Sequence, residues 1–469
     1  MGKISVLLIF SVVLLLFSSC GNISDSSEAL SDSSATSGSS QIEEPFSSEP
    51  SYSDFSSQSS DNSILPAVLT DGDTSTVYSI EHSPYELELN FSEPLSLCAA
   101  ELCGISENVL SISISVKDEN GSFSEVYFQS EIGENRICFL GTVNSDCISI
   151  SFDSSGGAVE IGELALLSSL TEETPFKTSA YLPVFDKSYD ISKYASSFSL
   201  LSDVIFISGS AKWNENGEII PGENLKSAID AVRALPESEN CKIWVSIAPQ
   251  GSLIKNGTAG NSINSDEKIS DLVSNILNFL SDYSIDAVDF DWEFPKDQTE
   301  WNDFGKLLRQ LKLASPSTEI SAAFYPYDIF LPDFAFSALD RVNIMAYDLF
   351  DDDGFHCTYS SAEKSIKYFL ELGFESSQLF LGIPCYGRPT DRASVWNYYS
   401  DAEELFSSFD NLFDGSYYNG KFLVRDKAAL AKHGSLGGIM LFHLLCDLPA
   451  SHPASLLYSA TDSLLLNSD

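Results

Sequence analysis

The sequence predicts an α/β fold: a (β/α)8 TIM barrel preceded by an all-β sandwich domain. Three observations carry that prediction. From about residue 178 to the end, eight short apolar runs alternate with amphipathic helical stretches. Between about residues 64 and 170 there are only short, partly alternating runs separated by Gly, Asn, Asp and Ser. The chain has 469 residues, too many for one ordinary domain and enough for two.

The order of the chain starts with a targeting segment over residues 1–20. Lys3 gives a positive start, and ISVLLIFSVVLLLF is an apolar run too short for an ordinary membrane span. It ends in Phe17-Ser18-Ser19-Cys20. Small residues before a cysteine resemble a bacterial lipobox. The resemblance implies lipidation of Cys20 and an exported lipoprotein, anchored to a membrane at the cell surface or periplasmic side. The alternative is a plain secretory signal with Cys20 incidental. Residues 21–63 are Ser-rich and poor in large apolar side chains, which predicts a disordered tether.

Charge narrows the partners. With 68 Asp and Glu against 25 Lys and Arg, the net charge is −43, a surface that repels phosphate backbones and excludes nucleic acid. Eight cysteines remain after Cys20, with no CxxC pair for a structural zinc site. Export permits disulfides, yet several of these cysteines lie in apolar runs where a thiol packs as a small apolar group.

Residues 64–170 contain YELELNF, SISISVKD, SEVYFQS, RICFLG, CISISF and VEIGELALLS, which suggest a β-sandwich. LTDGDTSTVY at its start and GAVEIGELALLS at its end resemble the discoidin-type, galactose-binding-like fold used by many carbohydrate-binding modules. The resemblance implies a structural calcium near Asp71, Asp73 and Glu163, whose oxygen ligands suit that ion. A simple turn at Asp71-Gly72-Asp73 is the competing reading.

Residues 178–465 are expected to form the barrel. Its expected strands are SAYLPV (179–184), DVIFIS (203–208), KIWVSIA (242–248), IDAVDF (285–290), EISAAFY (319–325), RVNIMAY (341–347), LFLGIP (379–384) and GGIMLF (437–442). Helical periodicity marks EKISDLVSNILNFLSDY, TEWNDFGKLLRQLKLA and SAEKSIKYFLELG between them. In such a barrel the chemistry sits at the C-terminal strand ends.

The fourth strand ends in DAVDFDWEFP. Alternation puts Asp289, Asp291 and Glu293 on the lumen face at steps of roughly 6.6 Å. Asp286, of opposite parity, supports the strand start, and Trp292 packs outward. Carboxylates this close share protons, and at least one pKa rises. The acid nearest the mouth, Glu293, is the candidate general acid.

DAVDFDWEFP resembles the DGxDxDxE signature of glycoside hydrolase family 18, the chitinases and their relatives. NIMAYD (343–348), LGIPCYGR (381–388) and GGIMLF with Asp447 match the family's later strand motifs in order. The resemblance implies retaining, substrate-assisted catalysis, an exception to the two-carboxylate rule. Glu293 would protonate the glycosidic oxygen, and the substrate's acetamido oxygen would attack C1. Asp291 would hold the acetamido N–H, Asp289 would share its proton, and Tyr347 would hydrogen-bond the acetamido oxygen. Asp348 would contact the sugar or tune Glu293. Tyr386 and Arg388 would line the groove or pack at the rim, and His356 would sit near the cleft or on the surface. Phe442 stands where the family has a Trp under the sugar, and can still stack. No cofactor is required for catalysis.

Two departures bear on substrate. The third-strand SxGG motif is reduced to Ser246-Ile247-Ala248-Pro249, and only 48 residues separate Arg388 from Gly437. The short connection predicts a shallow, open cleft and endo-acting cleavage, and the family resemblance implies that the substrate is a β-1,4-linked N-acetylglucosamine glycan. The alternatives are an endo-β-N-acetylglucosaminidase on N-glycans, a non-catalytic glycan-binding lectin, and an adhesin working through its sandwich.

Overall fold

The computed structural model describes residues 69, 73–118, 120–130, 132–168, 170, 176–184 and 190–465. The expected leader, Cys20, the Ser-rich tether and Asp71 lie outside the described residues.

Two long antiparallel strands, Tyr85–Cys103 and Arg136–Ser154, form the spine of the N-terminal β region. Their register shifts between Asn90 and Leu95, an irregularity of the kind that bends a strand pair. RICFLG and CISISF, expected as two strands, are one. The polar stretch between them stays on the ladder, with Val143 opposite Leu97 and Asn144 opposite Ser96. Val109–Lys117 and Phe123–Gln129 extend the sheet on one side and Glu163–Leu167 on the other, while Tyr78–Ile80 pairs with Val159–Ile161. Alternation in SISISV buries Ile112 and Ile114 in a core with Leu89, Leu102, Ile150 and Leu164. Of the expected calcium set, Glu163 Oε1 accepts the Asp73 N–H at 2.9 Å, and Asp73 Oδ1 accepts from Ser75. These bonds fasten the loop to the strand Glu163–Leu167. Among the described residues no three His, Cys, Asp or Glu side chains group as a metal site.

The eight barrel strands all form: β1 Lys177–Pro183, β2 Asp203–Trp213, β3 Lys242–Pro249, β4 Ala287–Phe290, β5 Glu319–Phe324, β6 Arg341–Ile344, β7 Leu379–Pro384 and β8 Gly438–Phe442. Each pairs in parallel with the next, and β8 closes onto β1. The β4 ladder ends at Phe290; the Asp291 N–H makes one more bond, to Ile247 O at 3.1 Å, before the chain leaves the sheet. The main helices are α1 Leu225–Arg233, α2 Asp266–Tyr283, α3 Gln298–Ala314, α4 Tyr359–Leu372, α5 Lys421–His433 and α6 Leu456–Leu465. Ser265, Asp297 and Thr358 cap α2, α3 and α4 through their side chains. The helical stripes, Ile269, Leu272, Val273 and Ile276 of α2 among them, bury against the outward face of the strands. Asp447, a member of the expected eighth-strand motif, is buried and accepts the backbone N–H groups of Leu456 and Leu457, which holds the start of α6.

Between β7 and α5 lie four short strands, Tyr386–Pro389, Asn397–Tyr398, Leu412–Phe413 and Ser416–Tyr417, in one small antiparallel patch. The β region docks onto α4 and α5. Asp426 of α5 accepts from Arg136 (2.6 Å), Tyr127 (2.8 Å) and the Phe139 N–H (3.1 Å), and Arg136 also lies over the Tyr359 ring. All eight cysteines among the described residues are free thiols.

Candidate active site

The lumen is filled in layers. At the bottom, Asp203 pairs with Arg341 at 2.8 Å, and Arg341 donates to Asn343 Oδ1. Asn343 shares the lumen-facing parity of Tyr347, and its amide donates upward to Asp289 at 3.0 Å. Asp289, fully buried, also accepts from Tyr181 (3.0 Å) and Ser321 (2.5 Å). Burial raises its pKa, and the donors from Ser321, Ser246 and Tyr181 oppose that rise.

Asp291 lies one pleat higher. Burial, then Glu293, then Asp289 push its pKa well above the carboxylate range, while Lys212 draws it back. Burial and the negative Asp348 push Glu293 up to about 7. Glu293 stands at the mouth, open to solvent on one side and crowded by protein on the others. Two acids so placed cannot both ionise, which leaves a proton on the pair near neutral pH. The structure therefore brings Asp289, Asp291 and Glu293 into one ascending column, with Trp292 turned outward against Trp213 and Phe304.

Tyr347 closes the column from β6's side. It is buried, stacked on Phe442 at 5.0 Å, and its pKa is raised by burial and by the neighbouring acids, so it remains a hydroxyl donor. Phe442 is half-buried and faces the lumen, with Trp396 edge-on at 5.7 Å. Trp396 in turn stacks on Tyr386 at 4.2 Å.

Tyr386, Arg388 and His356 do not line the open cleft; all three are buried behind Asp348. Arg388 forms an ion pair with Asp348. Burial nevertheless holds the Asp348 pKa above its ordinary value, against the pull of Arg388. The His356 ring packs on Tyr386, with Nδ1 3.8 Å from Asp348. Burial lowers its pKa to about 3, so it is a neutral packing partner and not a cation.

On the far side of Glu293 an aromatic trough opens that sequence reading missed. Phe294 meets Tyr325 edge-on at 5.8 Å, and Tyr325 stacks on Tyr327 at 5.4 Å. With Phe330, Lys296 and Asp328 these rings line a hollow of about 600 Å³. Phe294, Tyr327 and Phe330 are exposed. The signal was available: YPYDIF places three aromatics directly after β5.

An eight-stranded barrel with a column of acids at one C-terminal strand end is the architecture of many glycosidases. The model of the glycosyl hydrolases family 18 matches residues 180–447, more than half of the chain, and the chain belongs to that family. Among curated relatives, a class V chitinase of Arabidopsis thaliana is 28% identical over 141 residues, covering 24% of this chain and 37% of its own length. Endochitinase 1 of Metarhizium robertsii is 21% identical over 258 residues, covering 42% of this chain and 59% of its own. These matches span less than two thirds of the relatives' lengths. Among solved structures, a chitinase from Bacteroides thetaiotaomicron superposes with a TM-score of 0.55 at 20% identity, covering 62% of this chain and 98% of that one. A class V chitinase from Nicotiana tobaccum, a mutant in complex with NAG4, gives 0.52 at 16% identity, covering 62% and 99%. At these identities the likeness is one of fold.

Proposed function

We propose that the chain is an endo-acting hydrolase of β-1,4-linked N-acetylglucosamine glycans, working by substrate-assisted retention. The observation that carries this reading is the column itself: Glu293, with a pKa of about 7, stands at the mouth directly above Asp291. Glu293 gives its proton to the glycosidic oxygen as the C1–O bond breaks. The acetamido carbonyl oxygen of the same sugar forms the new bond to C1, giving an oxazolinium ion. Asp291, turned up as a carboxylate, accepts the acetamido N–H and holds that oxygen in line. Tyr347 donates to the acetamido oxygen, and Phe442 stacks under the ring. Asp289, held by Tyr181, Ser321 and Asn343, takes up the proton that Asp291 releases. Glu293 then removes a proton from water, which opens the oxazolinium from the other side.

The trough beyond Glu293 extends this reading to the leaving-group side, where exposed rings suit sugar faces. The small patch between β7 and α5 leaves the cleft open, which favours cutting within chains. Export and anchoring through acylated Cys20 belong to the same proposal, as does a glycan-gripping role for the discoidin-like β region. Loss of palmitate labelling in Cys20→Ala checks the anchor, and retained labelling rejects it.

The deciding experiment incubates wild type and Glu293→Gln with N-acetylglucosamine oligomers and with a high-mannose glycopeptide. Cleavage of the oligomers with β-configured products, lost in the variant with binding retained, supports the proposal. Cleavage of the glycopeptide alone assigns the activity to N-glycans. Binding without turnover by wild type makes the protein a lectin.

A further inference from the structure

Lys212 stands apart in a chain with 25 basic residues and 68 acidic ones. Simple alternation along β2 would turn it outward, since Ile205 and Ile207 belong to the lumen cluster. The ladder says otherwise. Phe206 pairs with Val245 and Ala211 with Ile247, so β2 carries extra residues opposite one short step of β3. The bulge contains Ser208 and Gly209, both at positive φ (50° and 101°). Beyond it the parity is reversed. Trp213 turns into the outer core against Phe290 and Trp292, and Lys212 turns inward.

Register then fixes what Lys212 meets. It pairs with Ala248 of β3, and the residue that follows β4 beyond the Ile247–Phe290 pair is Asp291, whose N–H still bonds Ile247 O. Lys212, Ala248 and Asp291 thus occupy one layer across three adjacent strands, about 10 Å from end to end. The middle residue is a methyl group, which leaves the gap open to the long ammonium arm. The groups facing Asp291 are Asp289 below, Glu293 above, Tyr181 from β1, Tyr347 from β6 and Lys212 from β2. Lys212 is the cation among them, and it is exposed to solvent.

We propose that Lys212 is a positioning residue that keeps Asp291 ionised when it turns to the acetamido group, so that the proton of the pair stays on Glu293. The inference rests on the proposed function. Glu293 must hold a proton while Asp291 accepts a hydrogen bond, yet the two acids compete for one proton in the same crowded column. A cation on Asp291's side of the mouth breaks that symmetry in the useful direction. Asp348, by contrast, pushes the proton onto Glu293 from the opposite wall. Together the two residues polarise the pair.

The test compares the pH dependence of kcat/KM on an N-acetylglucosamine tetramer for wild type, Lys212→Met and Lys212→Arg, with melting temperatures to verify folding. Removing the cation raises the Asp291 pKa, so the acid limb of the Met variant moves to higher pH by about one pH unit. The Arg variant restores the limb. A Met profile superposed on wild type, or an Arg variant behaving like Met, overturns the assignment. A second readout needs no turnover: carbon-13 titration of the Asp291 carboxyl, assigned with Asp291→Asn. A titration moved to higher pH in Lys212→Met supports the proposal and an unmoved one rejects it. If wild type hydrolyses nothing, the proposed function falls by itself, and the carboxyl titration still decides on Lys212.

Discussion

Asp426 is a buried carboxylate and Asp291 a half-buried one, and the molecule treats them in opposite ways. Asp426, where the β region meets α5, receives Arg136, Tyr127 and a backbone N–H. Asp291, in the barrel mouth, faces two further acids and one lysine across an open gap. A buried charge with its donors in place is a structural joint, since removing one partner strands the other. Acids crowded together at a strand end hold a loosely shared proton, which a catalyst can use. The contrast separates the two functions of buried charge within one chain.

Breaking the joint has the largest expected effect on stability. Arg136→Met leaves Asp426 without its cation and costs roughly 3–5 kcal/mol, read as a lower denaturation midpoint. Activity per folded molecule stays within about twofold. Arg136→Met with Asp426→Leu recovers most of the loss, and failure to recover would show that the joint matters for more than charge.

Next in size is the trough. Tyr327→Ala and Phe330→Ala each raise KM for an N-acetylglucosamine hexamer about five- to tenfold, since each ring offers a stacking surface. A dimeric chromogenic substrate is affected much less. Equal effects on both substrates would place these rings outside the leaving-group path.

The smallest effect concerns the mouth. Below the ordinary Glu value of 4.5, Glu293 is protonated in both folded and unfolded chains. Above it the unfolded chain ionises while the fold keeps the proton until about 7, so stability is lost as pH rises through that window. Glu293→Gln removes this loss. Its melting temperature exceeds that of wild type by about 2 °C at pH 8, with no gain at pH 4, the size being limited by solvent on the carboxyl's open side. A gain equal at both pH values would mean that the proton has no part in it.

How much of this was legible depends on where regularity holds. Strands of a parallel barrel are buried on both faces and read as apolar runs, so all eight were visible in the sequence. Strict alternation over Asp289, Asp291 and Glu293 exposed the column. Lys212 was hidden because the bulge at Ser208 and Gly209 reverses parity, and a bulge leaves little trace in residue type. For Tyr386 and Arg388 the sequence left groove and rim open, and for His356 cleft and surface. Their burial depends on partners such as Tyr417, distant in sequence, which no local pattern reveals. The merged strand Arg136–Ser154 was obscured by polar residues that stay on the ladder.

The Arg136 joint also governs how the molecule can meet a polymer. Arg136 ties the β region to α5, and α5 leads through a short turn into β8, which ends at Phe442 under the proposed sugar site. The β region and the barrel mouth are thus joined through one helix and one strand. Were the β region to hold a glycan, as proposed, the spacing between hold and site along the polymer would be dictated by the protein's own dimensions, not by the swing of a linker.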